Sequence, residues 1–143
     1  MTAIDTNIWV YSHDVRDVVK QERARELIGA CDDLALLWQV GCEFMAASRK
    51  LAVVGFTREA GWAALRAMQE MAATLVLPAP ADWVLAEELE SANQIPLWDG
   101  LVIAACVRAG IRTRYSEDIH ELGSGASPVI INPFKQPAAA GTS

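Results

Sequence analysis

Four acidic residues are spread along the sequence at positions where carboxylates could do chemistry together. They are Asp5, Glu43, Asp99 and Asp118. Asp5 follows a short apolar segment, Asp99 begins an apolar segment after Pro96, and Asp118 follows the strand that we expect around Thr113 to Tyr115. Carboxylates gathered in a partly buried pocket repel one another unless a cation compensates them. The four acids together therefore predict one acidic pocket that holds a divalent metal ion.

The ligand types indicate which ion and which chemistry such a pocket would support. Hard carboxylate oxygens suit Mg²⁺ or Mn²⁺, and Cys31, Cys42 and Cys106 lack the spacing of a zinc site. Such ions activate water and stabilise a leaving oxygen, which is the chemistry of phosphodiester hydrolysis. The sequence contains no GxGxxG motif, no P-loop and no GxSxG elbow that would favour another reaction.

Each acid also has a simpler structural interpretation. Asp5 fits a turn, Asp99 and Asp118 fit helix caps, and Glu43 fits a partly exposed helix charge. If all four acids have only these roles, the chain is a catalytically silent module that binds a partner protein. The sequence therefore leaves two classes of function open.

Short apolar runs alternate with helical patterns along the chain, and these elements must position the acids. We expect strands near 2–4, 35–38, 74–77, 111–115 and 129–131, and helices near 7–11, 17–31, 40–51, 58–73, 82–93 and 99–109. This alternation predicts an α/β fold, a three-layer sandwich with a mainly parallel sheet of short strands.

A parallel sheet has a consequence for the acids, because ligands collect beyond the carboxyl ends of its strands. Asp5, Asp99 and Asp118 should all lie at that edge. Glu43 falls at the border of the apolar face of its helix, so it could face the same cleft.

Length and composition indicate one globular domain. The chain has 143 residues, of which 52% are apolar, and we expect a domain over 1–134 with a flexible tail over 135–143. A net charge of −6 is unfavourable for simple binding to a phosphate backbone, so local cations such as Arg112 and Arg114 would have to attract a nucleic acid. No apolar stretch reaches the roughly 18 residues of a membrane span, and we expect a cytoplasmic location.

The tryptophans divide into two expected groups. Trp9 and Trp98 sit in apolar runs and are predicted to be buried in the core. Trp38, Trp62 and Trp83 fit the core and an aromatic binding surface about equally well.

Four segments, in this order, resemble the acidic motifs of PIN-domain ribonucleases. They are Ile4-Asp5-Thr6-Asn7, Gln39-Val40-Gly41-Cys42-Glu43-Phe44, Trp98-Asp99-Gly100-Leu101-Val102-Ile103-Ala104-Ala105 and Tyr115-Ser116-Glu117-Asp118. The closing Asn132-Pro133-Phe134 is also similar to the end of many bacterial members. The resemblance covers essentially the whole chain, whose size is similar to the VapC-type toxins of toxin–antitoxin pairs.

The resemblance implies a PIN-like fold and a Mg²⁺-dependent endoribonuclease that acts as a toxin, with Mn²⁺ as a possible substitute. Asp5 and Asp99 would be the primary metal ligands, and Glu43 and Asp118 would complete the pocket. Asn7 and Ser116 would orient the ligands or the substrate, and Glu117 could act alongside or instead of its neighbour Asp118. The implied partners are an RNA substrate, a cognate antitoxin and a second copy of the chain in a homodimer.

Overall fold

One parallel sheet runs through the centre of the protein. The structure, a computed structural model, describes residues 1–120, 122 and 125–135. Within these residues the strands are β1 (Thr2–Ile4), β2 (Leu34–Leu37), β3 (Thr74–Val76), β4 (Thr113–Tyr115) and β5 (Val129–Ile131). They lie in the order β3-β2-β1-β4-β5, and each neighbouring pair is parallel. The predicted α/β fold with a mainly parallel sheet is confirmed.

Helices connect β1 to β2, β2 to β3 and β3 to β4, and they cover the sheet. They are α1 (Thr6–Tyr11), α2 (Val18–Ala30), α3 (Trp38–Ala47), a 3₁₀ helix (Ser48–Val54), α4 (Arg58–Met71), α5 (Ala81–Asn93) and α6 (Leu97–Ala109). All four residues of β2 are buried, so both faces of this strand are covered. This cover on both faces is the three-layer arrangement expected from the sequence.

Local sequence signals explain where several helices begin and end. The Asp17 and Thr57 side chains accept hydrogen bonds from backbone N–H groups in the first turns of α2 and α4. Gly110 ends α6 with a φ of 72°, a left-handed conformation that glycine adopts without strain.

Two expectations about boundaries and caps were wrong. Trp38 was predicted to end a strand, but it begins α3, because the chain passes from β2 into the helix without a loop. Asp99 does not cap α6, since Pro96 occupies the N-cap position and Asp99 lies inside the first turn. The simpler interpretation of Asp99 as a helix cap therefore fails.

The tryptophan predictions had mixed outcomes. Trp9 is buried as expected, and its Nε1 donates a hydrogen bond to the Ile4 carbonyl oxygen. Trp98 was predicted to be buried but is 65% exposed, because it lies on the outer side of the first turn of α6. Both residues lie near the start of a helix, so an apolar run at a helix start does not by itself predict burial.

Two further expectations concern the membrane and the tail. None of the helices in the described part of the chain has the length and apolar character needed to cross a membrane. Apart from Lys135, the predicted tail over 135–143 lies outside the described residues.

Candidate metal centre

The four predicted acids line one open cavity of about 330 Å³ beyond the carboxyl end of β1. The cavity is lined by Asp5, Thr6, Asn7, Val10, Tyr11, Arg16, Glu43, Ala47, Lys50, Leu51, Asp99, Val102 and Asp118. The structure therefore brings together side chains that are more than 100 positions apart in the sequence. Their role as metal ligands stays a prediction.

Asp5 is the most buried of these four acids. It is buried, and its Oδ1 accepts a hydrogen bond of 2.9 Å from the Thr6 backbone N–H, as the N-cap of α1. Its Oδ2 accepts two hydrogen bonds, one of 2.7 Å from Ser116 Oγ and one of 3.0 Å from Arg114 Nη2. Arg114 belongs to β4, and Ser116 directly follows this strand. The pairing of β4 with β1 therefore sets the position of the Asp5 carboxylate.

Glu43 projects from α3 toward the cavity and is half-buried. Its Oε2 accepts a hydrogen bond of 2.9 Å from Thr6 Oγ1, and its Oε1 accepts one of 2.8 Å from Gln39 Nε2. Gln39 also donates to the Trp98 carbonyl oxygen at 3.0 Å. Gln39 thus links α3 to the start of α6, next to Asp99, a role that the sequence did not reveal.

Asp99 has a partner that was not predicted. His120 Nε2 lies 3.2 Å from Asp99 Oδ2. The contact joins α6 to the loop after β4, where Asp118 also lies. No local pattern in the sequence indicates this pair, because 21 positions separate its two members.

The adjacent acids Glu117 and Asp118 point to different partners. Asp118 lines the cavity, and its backbone N–H donates a hydrogen bond of 3.0 Å to Ser116 Oγ. Glu117 Oε2 instead lies 2.8 Å from Lys20 Nζ of α2, which also packs over the Tyr11 ring. Among the described residues, Asp118 is therefore the member of the pair that faces the cavity.

Arg114, which contacts Asp5, does not lie at the surface where it was expected. It was grouped with cations that could attract a nucleic acid, but its side chain is 1% exposed. The alternation along β4 explains this burial, since the flanking Thr113 and Tyr115 are both half-buried. An arginine inside a central strand, between two other strands, was the available signal.

The residues around the cavity fit a hard divalent cation in their donor chemistry. Carboxylate oxygens are the ligands that Mg²⁺ prefers, and Asn7 adds an amide oxygen, Oδ1, that is buried without a hydrogen-bond partner among the described residues. A buried acceptor of this kind is normally satisfied by a donor, such as water brought in with a ligand.

The acids are not gathered into a finished ligand cluster. In the described part of the chain, no group of three or more Asp, Glu, His or Cys side chains is arranged to hold a metal ion as it stands. The hydrogen bonds explain this spread, because protein donors already occupy Asp5 and Glu43, and His120 sits against Asp99. Occupation by a metal would require these side chains to move closer together.

Comparison with known proteins gives matches at the level of structure alone. No protein-family model and no curated protein sequence match this chain. A VapC20 toxin of Mycobacterium tuberculosis that cleaves the sarcin–ricin loop is similar in structure, with a TM-score of 0.62 and 16% identity over 82% of this chain and 90% of that one. VapBC2 of Rickettsia felis, bound to a DNA fragment from its promoter, gives a TM-score of 0.58 and 15% identity over 82% of this chain and 87% of that one. The chain has the PIN-like fold of these VapC structures.

Proposed function

We propose that the protein is a Mg²⁺-dependent endoribonuclease that hydrolyses RNA phosphodiester bonds as the toxin of a toxin–antitoxin pair. The observation that supports this most directly is the convergence of Asp5, Glu43, Asp99 and Asp118 on one cavity. The PIN-like fold supports it further, since one structural neighbour is described as a toxin that cleaves the sarcin–ricin loop.

Each acid has a distinct part in the proposed site. Asp5 and Asp99 hold the cation most directly, and Glu43 and Asp118 complete its surroundings. Asn7 and Ser116 orient these groups, Asn7 through its free Oδ1 and Ser116 through its bonds to Asp5 and the Asp118 backbone. A bound Mg²⁺, or Mn²⁺ in its place, supplies an activated water nucleophile and neutralises the charge that develops on the leaving oxygen.

The wall of the cavity also carries positive charge that suits a phosphate backbone. Lys50 is exposed at this wall, and none of the described residues forms an ion pair with it. Arg16 lines the same cavity, paired with Asp14 at 2.9 Å. In a chain with a net charge of −6, cations at this place would seat the RNA next to the acids.

The proposed partners are a cognate antitoxin and a second copy of the chain, and the proposed location is the cytoplasm. An exposed aromatic surface supports a protein partner: two cavities of about 380 and 280 Å³ share Trp38, and they also include Trp62 and Trp83, respectively. We call these three residues the tryptophan surface. All three are at least half exposed, which is unusual for apolar side chains without a partner.

Single substitutions at the acids test the proposed activity. Asp99→Asn keeps the shape of the side chain but removes its charge, so RNA cleavage with Mg²⁺ should fall at least 100-fold while the thermal unfolding midpoint stays within a few degrees. Asp5→Ala should also abolish cleavage, with a greater loss of stability because Arg114 loses its partner. Purified variants that cut RNA as fast as the wild type would contradict the assignment.

The alternative, a silent protein-binding module, predicts a different response to metal. The enzyme should bind Mg²⁺ or Mn²⁺ saturably in calorimetry and gain thermal stability from it. A protein that shows neither metal binding nor nuclease activity, but retains a protein partner, would be the module instead.

A further inference from the structure

Arg114 is a buried cation held directly against the proposed metal site. Its Nη2 donates a hydrogen bond of 3.0 Å to Asp5 Oδ2, and the two side chains are 1% and 10% exposed. Burial removes a guanidinium from water at a large cost unless an opposite charge compensates it. Asp5 is the carboxylate that provides this compensation, and the pair joins β4 to the end of β1.

The surroundings of Arg114 offer little else to stabilise its charge. Its Nε and Nη1 atoms are buried without hydrogen-bond partners among the described residues. The nearby thiol of Cys106 is fully buried, and burial raises its pKa to about 12, so it stays neutral at ordinary pH. Arg114 therefore depends on Asp5, and Asp5 has a positive charge beside it even without a metal ion.

This arrangement places two cations in competition for one carboxylate. A divalent ion at Asp5 would share that carboxylate with the guanidinium and would be repelled by it, in surroundings where water screens charges poorly. Ser116 Oγ binds the same oxygen at 2.7 Å but carries no charge, so it orients Asp5 without opposing a metal.

We propose that Arg114 is a positioning residue that acts as a resident counter-cation for Asp5. It keeps the acidic cavity assembled when no metal is bound, and it lowers the affinity of the site for divalent cations. This inference rests on the proposed function, because it concerns the same cavity.

Calorimetric titration with Mn²⁺ tests the inference without using activity. Arg114→Met removes the charge while keeping much of the side-chain length, and it should bind Mn²⁺ at least tenfold more tightly than the wild type. Arg112→Met removes the same charge two positions away, from an exposed side chain, and should change the affinity less than twofold. Arg114→Met with unchanged or weaker binding would overturn the proposal.

A second variant keeps the test decisive if Arg114→Met does not fold. The double variant Asp5→Asn with Arg114→Met removes both charges, so it should fold, as judged by circular dichroism and a cooperative thermal transition. Failure of the double variant to fold would contradict the counter-cation role, because the removal of both charges leaves neither group of the pair charged without a partner.

The outcomes also separate this inference from the proposed function. A wild-type protein that cleaves RNA with Mg²⁺, combined with no gain in Mn²⁺ affinity in Arg114→Met, would refute only the counter-cation role. Absence of both Mn²⁺ binding and RNA cleavage in the wild type would refute both.

Discussion

At the scale of single residues, the two neighbouring acids after β4 have divergent surroundings. Asp118 lines the cavity with Asp5 and Asp99, whereas Glu117 pairs with Lys20 on α2. The sequence could not separate their roles, because both follow Ser116 within two positions. Isosteric substitutions at Asp118 and at Glu117 can therefore separate the roles of the two acids.

We expect Asp118→Asn to reduce Mg²⁺-dependent cleavage about 10- to 100-fold, which is the usual effect of disturbing a supporting group of a metal site. Glu117→Gln is the matched control and should retain cleavage within about threefold, since its carboxylate serves the contact with Lys20. Cleavage of a labelled RNA under single-turnover conditions measures both. The reverse order of effects would assign the role to Glu117.

Residue spacing revealed the acids of the candidate site, but it did not reveal what holds them. Asp5 and Asp118 could be placed near one sheet edge because each follows a predicted strand. Gln39 lies four positions before Glu43 in α3, so helical spacing was the available signal for this contact. Arg114 and His120 were missed, since each contacts an acid brought close by the tertiary fold. These contacts depend on the alignment of strands and helices, which no local pattern encodes.

At the scale of elements, a partly buried ion pair joins α5 to α6. Arg108 Nε donates a hydrogen bond of 2.7 Å to Asp82 Oδ1, and Arg108 Nη2 donates one of 3.0 Å to Oδ2. Arg108 also donates to the Leu77 carbonyl oxygen at 2.7 Å, so the contact reaches the loop after β3. This pair helps hold α6, and with it Asp99, against the rest of the fold.

Asp82→Asn should lower the free energy of unfolding by about 2 kcal/mol at pH 7, the typical value of hydrogen bonds to a charged group. Hydrogen bonds from Arg108 lower the pKa of Asp82, so its contribution is full above the ordinary carboxyl pKa of about 4 and is lost as the pH falls through the lowered value. Urea unfolding at pH 7 and pH 3 should therefore show a smaller gap between wild type and variant at pH 3. Glu26→Gln, in an exposed pair, is the control and should change stability by less than about 0.5 kcal/mol.

A second element-scale prediction concerns His13, which follows α1 and packs on two aromatic rings. Its ring lies 4.8 Å from the Phe56 ring and 5.8 Å from the Phe44 ring. Burial lowers the pKa of His13, and the positive charge of Arg25 lowers it further. The folded protein therefore favours the neutral imidazole, whereas the unfolded chain takes up a proton at about pH 6.5.

The stability of the wild type should accordingly fall as the pH drops below about 6.5, because the unfolded state then binds more protons than the folded state. His13→Phe keeps the ring contacts and removes this titration. Thermal unfolding between pH 8 and pH 5 should show the wild-type midpoint falling relative to that of the variant. Parallel curves would contradict the assignment to His13.

The sequence predicted the order and type of the elements better than their exact ends. The strands β1 and β5 and the C-terminal end of α6 were placed correctly, because short apolar runs and a glycine after the helix give strong local signals. The start of α3 was displaced, since β2 continues into it without a turn residue. Boundaries of that kind are set by tertiary packing.

At the scale of the whole molecule, the exposed tryptophan surface lines cavities other than the acidic one. Trp38, Trp62 and Trp83 line two cavities, and none of these residues lines the acidic cavity. Substrate binding and protein association can therefore involve separate surfaces. The proposed homodimer can be tested without disturbing the site.

We expect the wild type to elute as a dimer in size-exclusion chromatography with light scattering. Trp38→Ser should weaken the dimer at least tenfold, because aromatic side chains at the centre of an interface supply much of its binding free energy. The substitution should not harm the core, since Trp38 is 50% exposed. Val19→Ser, at an exposed apolar residue on α2, should leave the mass unchanged; a Trp38→Ser variant that remains dimeric would rule out this surface.

The pairing of β1 with β4 also has a consequence for the time at which activity can appear. Asp5 is made before Arg114 and Ser116, which hold its carboxylate and lie more than 100 positions later in the chain. A growing chain on the ribosome therefore carries an incomplete acidic cavity until β4 has emerged and docked beside β1. For a protein proposed to cut RNA, this order of assembly would spare the messenger and the ribosome that are still producing it.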